Sequence, residues 1–542
     1  MSMEKFFKRT IWQAILVGLL SGALVVLFRL GINKVFAFEM SYVYPHPILF
    51  LLAITFAGLL SGILVFKLAP ETSGSGIPYV KSVLLRTGKL IRIRTIFVKF
   101  FAGVLAIGSG LSLGREGPSV QLGAGAGSLV GAISGLKGNN RNKLIAAGAG
   151  AAIGATFNAP IAGAIFILEE LLHKFSPSIL FPALVATVTA ATFSRYYLGQ
   201  NPAFNISLPS IEINFPILII CVILGILCGV LGVLFSKIIF FLNKVYSRIN
   251  VPNYVKPALA GFVTGLLGLI IPYILSSGNN VVEILLQNHF PILIVCLIFV
   301  AKFFITPICF SSGAAGGIFL PMLMLGAFLG YIAGFLANVV TEVNIVAISA
   351  LGMAGFLSSV ARTPITAVVM VFEMTGGYEC ILPLMLVSSI ADITAEKLNH
   401  KPIYATLVIN QFINSPNFKL SEKHCVQDIM SPVKPFKSDE KITQILATME
   451  QEGHNVYPII GADNEKLIGV VSKSDIQDIL LDESMKNLTA IRVLESAPVV
   501  VYPNDNLYTL YYRLHSDSAE SAIVVDKQKR VLGIVTRADI LK

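Results

Sequence analysis

The stretch GSGLSLGREGPSVQLGAGAG (108–127) constrains this chain more than any other. Arg115 and Glu116 are the sole charges between Phe100 and Leu136, set among apolar residues and glycines. A carboxylate in such surroundings is costly and marks a functional site by default. Gly114 and Gly117 let the backbone approach a neighbour closely, and Pro118 suits the first position of a helix, where its missing N–H costs nothing. The pattern predicts a loop feeding a helix N-terminus at membrane depth. Such an end offers unpaired N–H donors and partial positive charge, so it favours an anion. Glu116 brings a negative charge of its own to that end. We expect it to compete with an anion for one site and to leave when protonated.

Composition fits membrane depth. The chain has 542 residues, 55% apolar and 13% charged, with a mean hydropathy of +0.76. These values describe a polytopic membrane protein of several units. The net charge of +10 is carried without any basic patch interleaved with aromatics, which argues against a nucleic-acid partner. Positive cytoplasmic loops explain it better. Lys5, Lys8 and Arg9 put the N-terminus in the cytoplasm, and the run Ile11 to Phe36 reads as a retained start-transfer helix in the cell membrane. The six cysteines form no C-x-x-C pair and read as reduced packing residues. No H-E-x-x-H pair occurs among the seven histidines, which removes a membrane metalloprotease. No acids cluster in the apolar segments, which removes a magnesium transporter. No metal or obligatory cofactor is expected.

Further apolar segments follow at 48–68, 96–113, 118–135, 143–172, 177–198, 215–243, 256–276, 289–309, 318–340, 343–357, 364–374 and 380–397. Many are short or broken by Gly and Pro, and broken helices at membrane depth are tolerated only where they line a cavity or are buried in protein. A repeat underlies them. FNAPIAGAIFILEE (157–170) aligns with ARTPITAVVMVFEM (361–374), so that Pro160 and Pro364 stand 204 residues apart, as do Glu169 and Glu373. GREGPSVQLGAGAG aligns with GIFLPMLMLGAFLG at an offset of 203, matching Pro118 with Pro321. Halves of about 48–200 and 215–405, each with corresponding helix breaks, are the signature of a secondary transporter whose substrate sits between them. The spacing alone leaves open whether the repeat is inverted. If Pro321 opens a helix, the N–H groups of Ile318 and Phe319 lie just before its start and can face an anion. With GSGIP (74–78), three glycine-to-proline helix starts could converge on one point. Their dipoles would hold an anion without a buried Lys or Arg, which would bind it too tightly to release.

GSGIP, GREGP and GIFLP in this order and spacing, with KPIY at 401–404, resemble the CLC chloride channel and transporter family over about residues 10–410. The resemblance implies a mostly α polytopic membrane protein of the inverted-repeat CLC type. It also implies a homodimer with a separate chloride pathway in each subunit. By the same resemblance, Ser75 and Tyr404 would offer hydroxyls to the anion, Ile318 and Phe319 their N–H groups, and Glu116 would be the external gate. Glu170 matches the internal proton-transfer glutamate of the exchanger branch. Ser75, where nitrate-selective relatives tend to have Pro, favours chloride. Tyr79, where many members have Glu, is a departure outside the proposed coordination shell. Glu169, with its counterpart Glu373, reads as structural.

Charges become frequent after Asn410, and 411–424 reads as a linker. A second repeat follows, LIGVVSKSDI (467–476) against VLGIVTRADI (531–540), at an offset of 64. It resembles an α+β pair of CBS modules at 425–482 and 483–542. The resemblance implies that this cytoplasmic pair binds ATP, ADP or AMP, with Ser472 and Thr536 near phosphate and Asp475 and Asp539 on ribose. As a scaffold for dimerisation and gating, the pair would carry no ligand. The expected activity is chloride–proton antiport, with a passive voltage- or pH-gated chloride channel as the alternative.

Overall fold

The computed structural model describes residues 3–85, 90–173, 175–199, 204, 214–287, 290–413, 425–452, 455–462, 465–473, 476, 479, 488–494, 498–516, 519 and 521–540. They form two compact units, one ending at Tyr404 and the other beginning at Ala405. Among the described residues, seven helices are long and apolar enough to cross a membrane.

The first unit is all helical. Its first half holds α1 (Met3–Phe38), α2 (Pro47–Ile63), α3 (Ile77–Leu84), α4 (Ile93–Gly108), α5 (Glu116–Ile133), α6 (Gly138–Phe157), α7 (Pro160–Phe166) and α8 (Pro177–Leu198). Its second half holds α9 (Phe215–Arg248), α10 (Lys256–Ile270), α11 (Asn279–Gln287), α12 (Ile292–Ser311), α13 (Phe319–Ala337), α14 (Ile345–Ala361), α15 (Pro364–Thr375) and α16 (Ile381–Lys397). Helix α17 (Ile403–Ile413) begins at its end. The segment read as one run over 143–172 is two helices. Asn158 breaks it with a left-handed φ of 57°, and Arg362 does the same before α15 with φ 62°. Proline at the start of α7 and of α15 enforces each break, because the residue before a proline is pushed out of the helical region.

The two halves run in opposite senses. The Glu169 carboxylate, on a π-helical turn (Ile167–Leu172) that continues α7, accepts N–H bonds from Ile365 (3.0 Å) and Thr366 (2.6 Å) at the start of α15. Glu373 near the end of α15 accepts from Ile161 (3.2 Å) and Ala162 (2.8 Å) at the start of α7. Each carboxylate thus caps the other helix's orphan donors, where the helix dipole also favours negative charge. This reciprocity requires α7 and α15 to lie antiparallel, as an inverted repeat demands. Glu169 thus serves as a helix cap, with Glu373 as its counterpart.

Helices α5, α6, α13 and α14 lie almost wholly inside the unit. Glycines let them approach one another. A Cβ on Gly123 would overlap the Gly148 carbonyl, and one on Gly326 would overlap the Gly352 carbonyl. The second contact repeats the first in the other half. Without a hydrophobic drive between helices in lipid, such close packing is what associates them.

The second unit repeats one motif. Strands β1 (Phe436–Lys437), β2 (Val456–Ile460) and β3 (Leu467–Ser472) pair in that order, with α18 (Ile442–Glu452) between β1 and β2. Strands β4 (Val500–Val501), β5 (Ser521–Val525) and β6 (Val531–Thr536) do the same, with α19 (Leu507–Ser516) between β4 and β5, and α20 (Arg537–Ile540) follows. In both sheets the first pair is parallel and the second antiparallel. Val470, Ile523, Val525 and Ile534 form a buried apolar cluster joining the two modules.

Candidate functional site

Three loops meet in the first unit. Gly114 and Gly317 exchange both backbone hydrogen bonds (2.6 and 2.7 Å), which sets the starts of α5 and α13 side by side. The Gly316 N–H donates to the Gly74 carbonyl (3.1 Å), tying in the loop before α3. A Cβ on Gly117 would collide with Ser75, so only glycine lets the start of α5 rest against that loop. The helices themselves begin earlier than expected. Arg115 is the cap of α5 and Ile318 the cap of α13, so Pro118 and Pro321 are third residues, not first. Proline is tolerated there because the first four N–H groups of a helix have no intrahelical partner.

Glu116 is therefore the first residue of α5. Its side chain is fully buried, and the Leu320 N–H of α13 donates to its Oε2 at 3.4 Å. The Arg115 Nε stands 3.9 Å from Oε1, beyond hydrogen-bond reach, and Oε1 has no hydrogen-bond partner among the described residues. A carboxylate thus sits against the positive end of α13, where an anion would be expected. Ile318 and Phe319 are fully buried at the same start. The N–H found on the carboxylate is that of Leu320, the second helical residue, which sequence reasoning missed by placing the helix start two residues too late. The Phe319 ring packs on Phe157 and Phe166, with centroids 5.6 and 6.0 Å apart.

Ser75 and Tyr404 are both buried, and neither hydroxyl has a hydrogen-bond partner among the described residues. Glu116 and Glu170 both act electrostatically on Tyr404, which puts it within range of the two carboxylates. Two orphaned hydroxyls, an orphaned carboxylate oxygen and a helix start in one buried region make a polar site that nothing in the protein itself completes. Its donor set, neutral hydroxyls and backbone N–H groups, suits a monovalent anion.

Buried cations stand nearby, contrary to the expectation of none. Lys99 donates to the carbonyls of Thr72 (2.8 Å) and Gly74 (2.6 Å), bracing the loop that carries Ser75. Its repeat counterpart Lys302, offset by 203, donates to Ile274 and Ser276 (2.9 Å each). Each ammonium is spent on backbone carbonyls. Their signal in the sequence was a lone lysine in an apolar run at the repeat offset. Glu170 is fully buried too, and Lys81 of α3 donates to its Oε1 at 3.0 Å.

In the second unit, the Thr536 N–H (2.9 Å) and hydroxyl (2.6 Å) both donate to Asp539 Oδ2, so this pair caps the start of α20. Ser472 ends β3, and Asp475 lies outside the described residues. A cavity of about 380 Å³ opens between the two modules, lined by Leu467, Val500, Tyr502, Val525 and Lys529 among others. Ser472, Thr536 and Asp539 are not among its lining residues.

An inverted repeat of broken helices, with three helix starts around a buried carboxylate, is the architecture of an anion-handling membrane protein. The voltage gated chloride channel family matches residues 57–396, and the CBS domain matches 426–482 and 491–542. The chain belongs to that family, the CLC proteins, and carries a tandem CBS pair. It is 34% identical over 421 residues to the H(+)/Cl(-) exchange transporter ClcA of Vibrio campbellii, covering 73% of this chain and 88% of the relative. A slow cyanobacterial Cl-/H+ antiporter of known structure matches with a TM-score of 0.71 at 30% identity, covering 75% of this chain and 99% of that one. A eukaryotic CLC transporter matches with a TM-score of 0.68 over 98% of both chains, at 20% identity, a likeness of fold alone.

Proposed function

We propose that the chain exchanges chloride for protons across the cell membrane, as a homodimer with one pathway in each subunit. The observation that carries this reading is the Glu116 carboxylate, buried against the α13 start with Oε1 unpartnered. Chloride binds among the Leu320 N–H, the starts at Ile318 and Phe319, and the hydroxyls of Ser75 and Tyr404. Charged Glu116 takes the same place, and protonation releases it. Because anion and carboxylate repel, binding of one shifts the proton affinity of the other, and the two fluxes couple. Glu170 carries the proton on the inner side. The relatives' names, an H(+)/Cl(-) exchange transporter and a Cl-/H+ antiporter, support the same activity. The reading takes residues 1–410 as the transport domain, 411–424 as a linker, and the modules 425–482 and 483–542, with the N-terminus, as cytoplasmic.

The Lys81–Glu170 ion pair favours a second reading, a passive chloride channel in which Glu170 stays ionised and carries nothing. Flux from liposomes with chloride and proton electrodes separates the two. Under the exchange reading, Glu170→Gln keeps chloride efflux and loses proton uptake. A reversal potential of the unaltered protein that ignores an opposed pH gradient would select the channel.

The CBS pair is proposed to bind an adenine nucleotide in the cavity at Tyr502 and Lys529, an aromatic face for the base and a cation for phosphate. Lys529→Ala is expected to weaken ATP binding to the whole protein about tenfold, the loss of one charge-assisted hydrogen bond, as read by calorimetry. Unchanged affinity would leave the pair as a scaffold.

A further inference from the structure

We propose that Lys81 and His173 form the port through which protons pass between Glu170 and water; this rests on the reading of Glu170 as the inner proton carrier. Glu170 is fully buried, and Lys81 beside it has a side chain 1% exposed, so neither meets water directly. Lys81 Nζ has three neighbours: Glu170 Oε1 at 3.0 Å, the Glu170 carbonyl at 2.8 Å and His173 Nε2 at 2.8 Å. An ammonium has three N–H bonds and no lone pair, so all three are used, and Nε2 of His173 accepts. The network thereby assigns the ring proton to Nδ1. His173 ends the turn after α7 in a left-handed conformation (φ 48°) and is partly exposed. Among the described residues, it is the polar side chain that both touches the Lys81–Glu170 pair and reaches the surface.

The other groups around Glu170 are committed elsewhere. Glu169, on the same turn, is held by the Ile365 and Thr366 N–H groups. The Tyr404 hydroxyl, on α17, has no hydrogen bond to Glu170 among the described residues. Among the described residues, the charge in contact with His173 is the Lys81 ammonium, 2.8 Å from Nε2. Glu170 Oε2 has no partner among the described residues, so the carboxyl is tethered by Oε1 and free at its other oxygen.

The transfer balances. From protonated Glu170, Lys81 passes an Nζ–H proton to Nε2 of His173. The imidazolium so formed releases its Nδ1 proton to water. The Lys81 amine then takes the proton from Glu170 Oε1. Glu170 ends as carboxylate, Lys81 as ammonium and His173 neutral with its proton on Nε2, and exchange with water returns that proton to Nδ1. The reverse sequence loads Glu170. A lysine suits the middle position because an ammonium can hand on one of its protons, whereas a guanidinium stays protonated in proteins.

Chloride and proton fluxes from proteoliposomes test this with three variants. Lys81→Arg keeps the positive charge but does not release a proton. It is expected to lower proton flux about tenfold or more while chloride flux stays within about twofold. His173→Ala is expected to lower proton flux similarly and to regain it when 4-methylimidazole is added as a diffusible carrier. Glu170→Gln is expected to lose proton flux with no recovery in 4-methylimidazole. If Lys81→Arg and His173→Ala both move protons at the normal rate while Glu170→Gln does not, the port is wrong and the role of Glu170 stands. If Glu170→Gln moves protons normally, the role of Glu170 falls and the port with it. A loss in His173→Ala that 4-methylimidazole does not restore overturns the port, because it marks His173 as structural. Should Lys81→Arg fail to assemble, the His173→Ala arm decides alone.

Discussion

Glu116→Gln is expected to abolish proton movement while chloride still crosses. Glutamine is neutral, nearly the same size as glutamic acid, and does not take up a proton at physiological pH. At the first position of α5 it would still present an oxygen to the Leu320 N–H, which now lies 3.4 Å from Oε2. The anionic competitor for that helix start is gone, so chloride occupies the site without waiting for a protonation. Removing a buried carboxylate also removes a desolvation cost, so the variant should fold at least as well. Loss of the essential acid–base group should cut proton flux by about 10²-fold or more. Chloride flux should lose its dependence on pH, because no titrating group gates it any longer. In liposomes under opposed chloride and pH gradients, the reversal potential should move to the chloride equilibrium value. Proton uptake within a factor of about two of the unaltered protein would end the gate assignment, since no general acid–base group is that dispensable.

The proposed gate depends on a diffuse attraction of the site for an anion. Its donors are a backbone N–H and two hydroxyls, and the nearest ammonium behind the Ser75 loop, Lys99, is already spent on the carbonyls of Thr72 and Gly74. A free lysine in the site would pair permanently with Glu116, and the cycle would stop there. Using the ammonium to shape the loop fixes where Ser75 stands without supplying a competing partner. Lys81 lies at the opposite extreme, in direct contact with its carboxylate, and in the proposed port it trades protons with Glu170.

Much of this arrangement was legible in the sequence. Helix breaks could be read because Gly and Pro act locally, through φ and the missing N–H. Matching breaks in two halves could be read because the repeat kept Pro160 with Pro364 and Glu169 with Glu373. What those glutamates do was not legible. Reciprocal capping depends on two helices 200 residues apart lying antiparallel, which no local pattern encodes. Helix starts were misplaced by two residues because proline is accepted through the whole first turn, and with them went the role of Leu320. Lys81 and His173 escaped notice for a related reason. Each reads as an ordinary polar residue near a helix end, and their meeting at Glu170 is a property of the fold. In the CBS pair, the Ser/Thr-to-Asp spacing could be read as a ligand motif, while the helix cap that the same spacing closes at Thr536 and Asp539 was not read from it.

The packing of α5 on α6 sets the second large effect. Gly148→Leu should leave little folded protein. Gly123 and Gly148 face each other so closely that a Cβ on either would overlap the other's carbonyl oxygen, and Gly326 and Gly352 repeat the contact between α13 and α14. Backbone does not yield as a flexible side chain does, so the helices must part. Inserting extra carbons into a packed core typically costs about 1–3 kcal/mol, and an isobutyl group driven into backbone lies at or beyond that range. Of the helices forced apart, α5 is the one that begins at Glu116, so lesser separations should shift that start and damage the site before the fold. Gly123→Ala is therefore expected to assemble and to transport chloride slowly, because a single methyl displaces the α5 start from the α13 start. Gly131→Ala is the control on the same helix: its added carbon would come closest to the Arg141 side chain, 2.9 Å from Cγ, which yields more readily than backbone. Gel filtration in detergent and chloride efflux should thus rank the variants Gly131→Ala, Gly123→Ala, Gly148→Leu in descending order. A monodisperse, fully active Gly148→Leu protein would mean that the two buried helices are not locked by this contact, and that the position of Glu116 is set elsewhere.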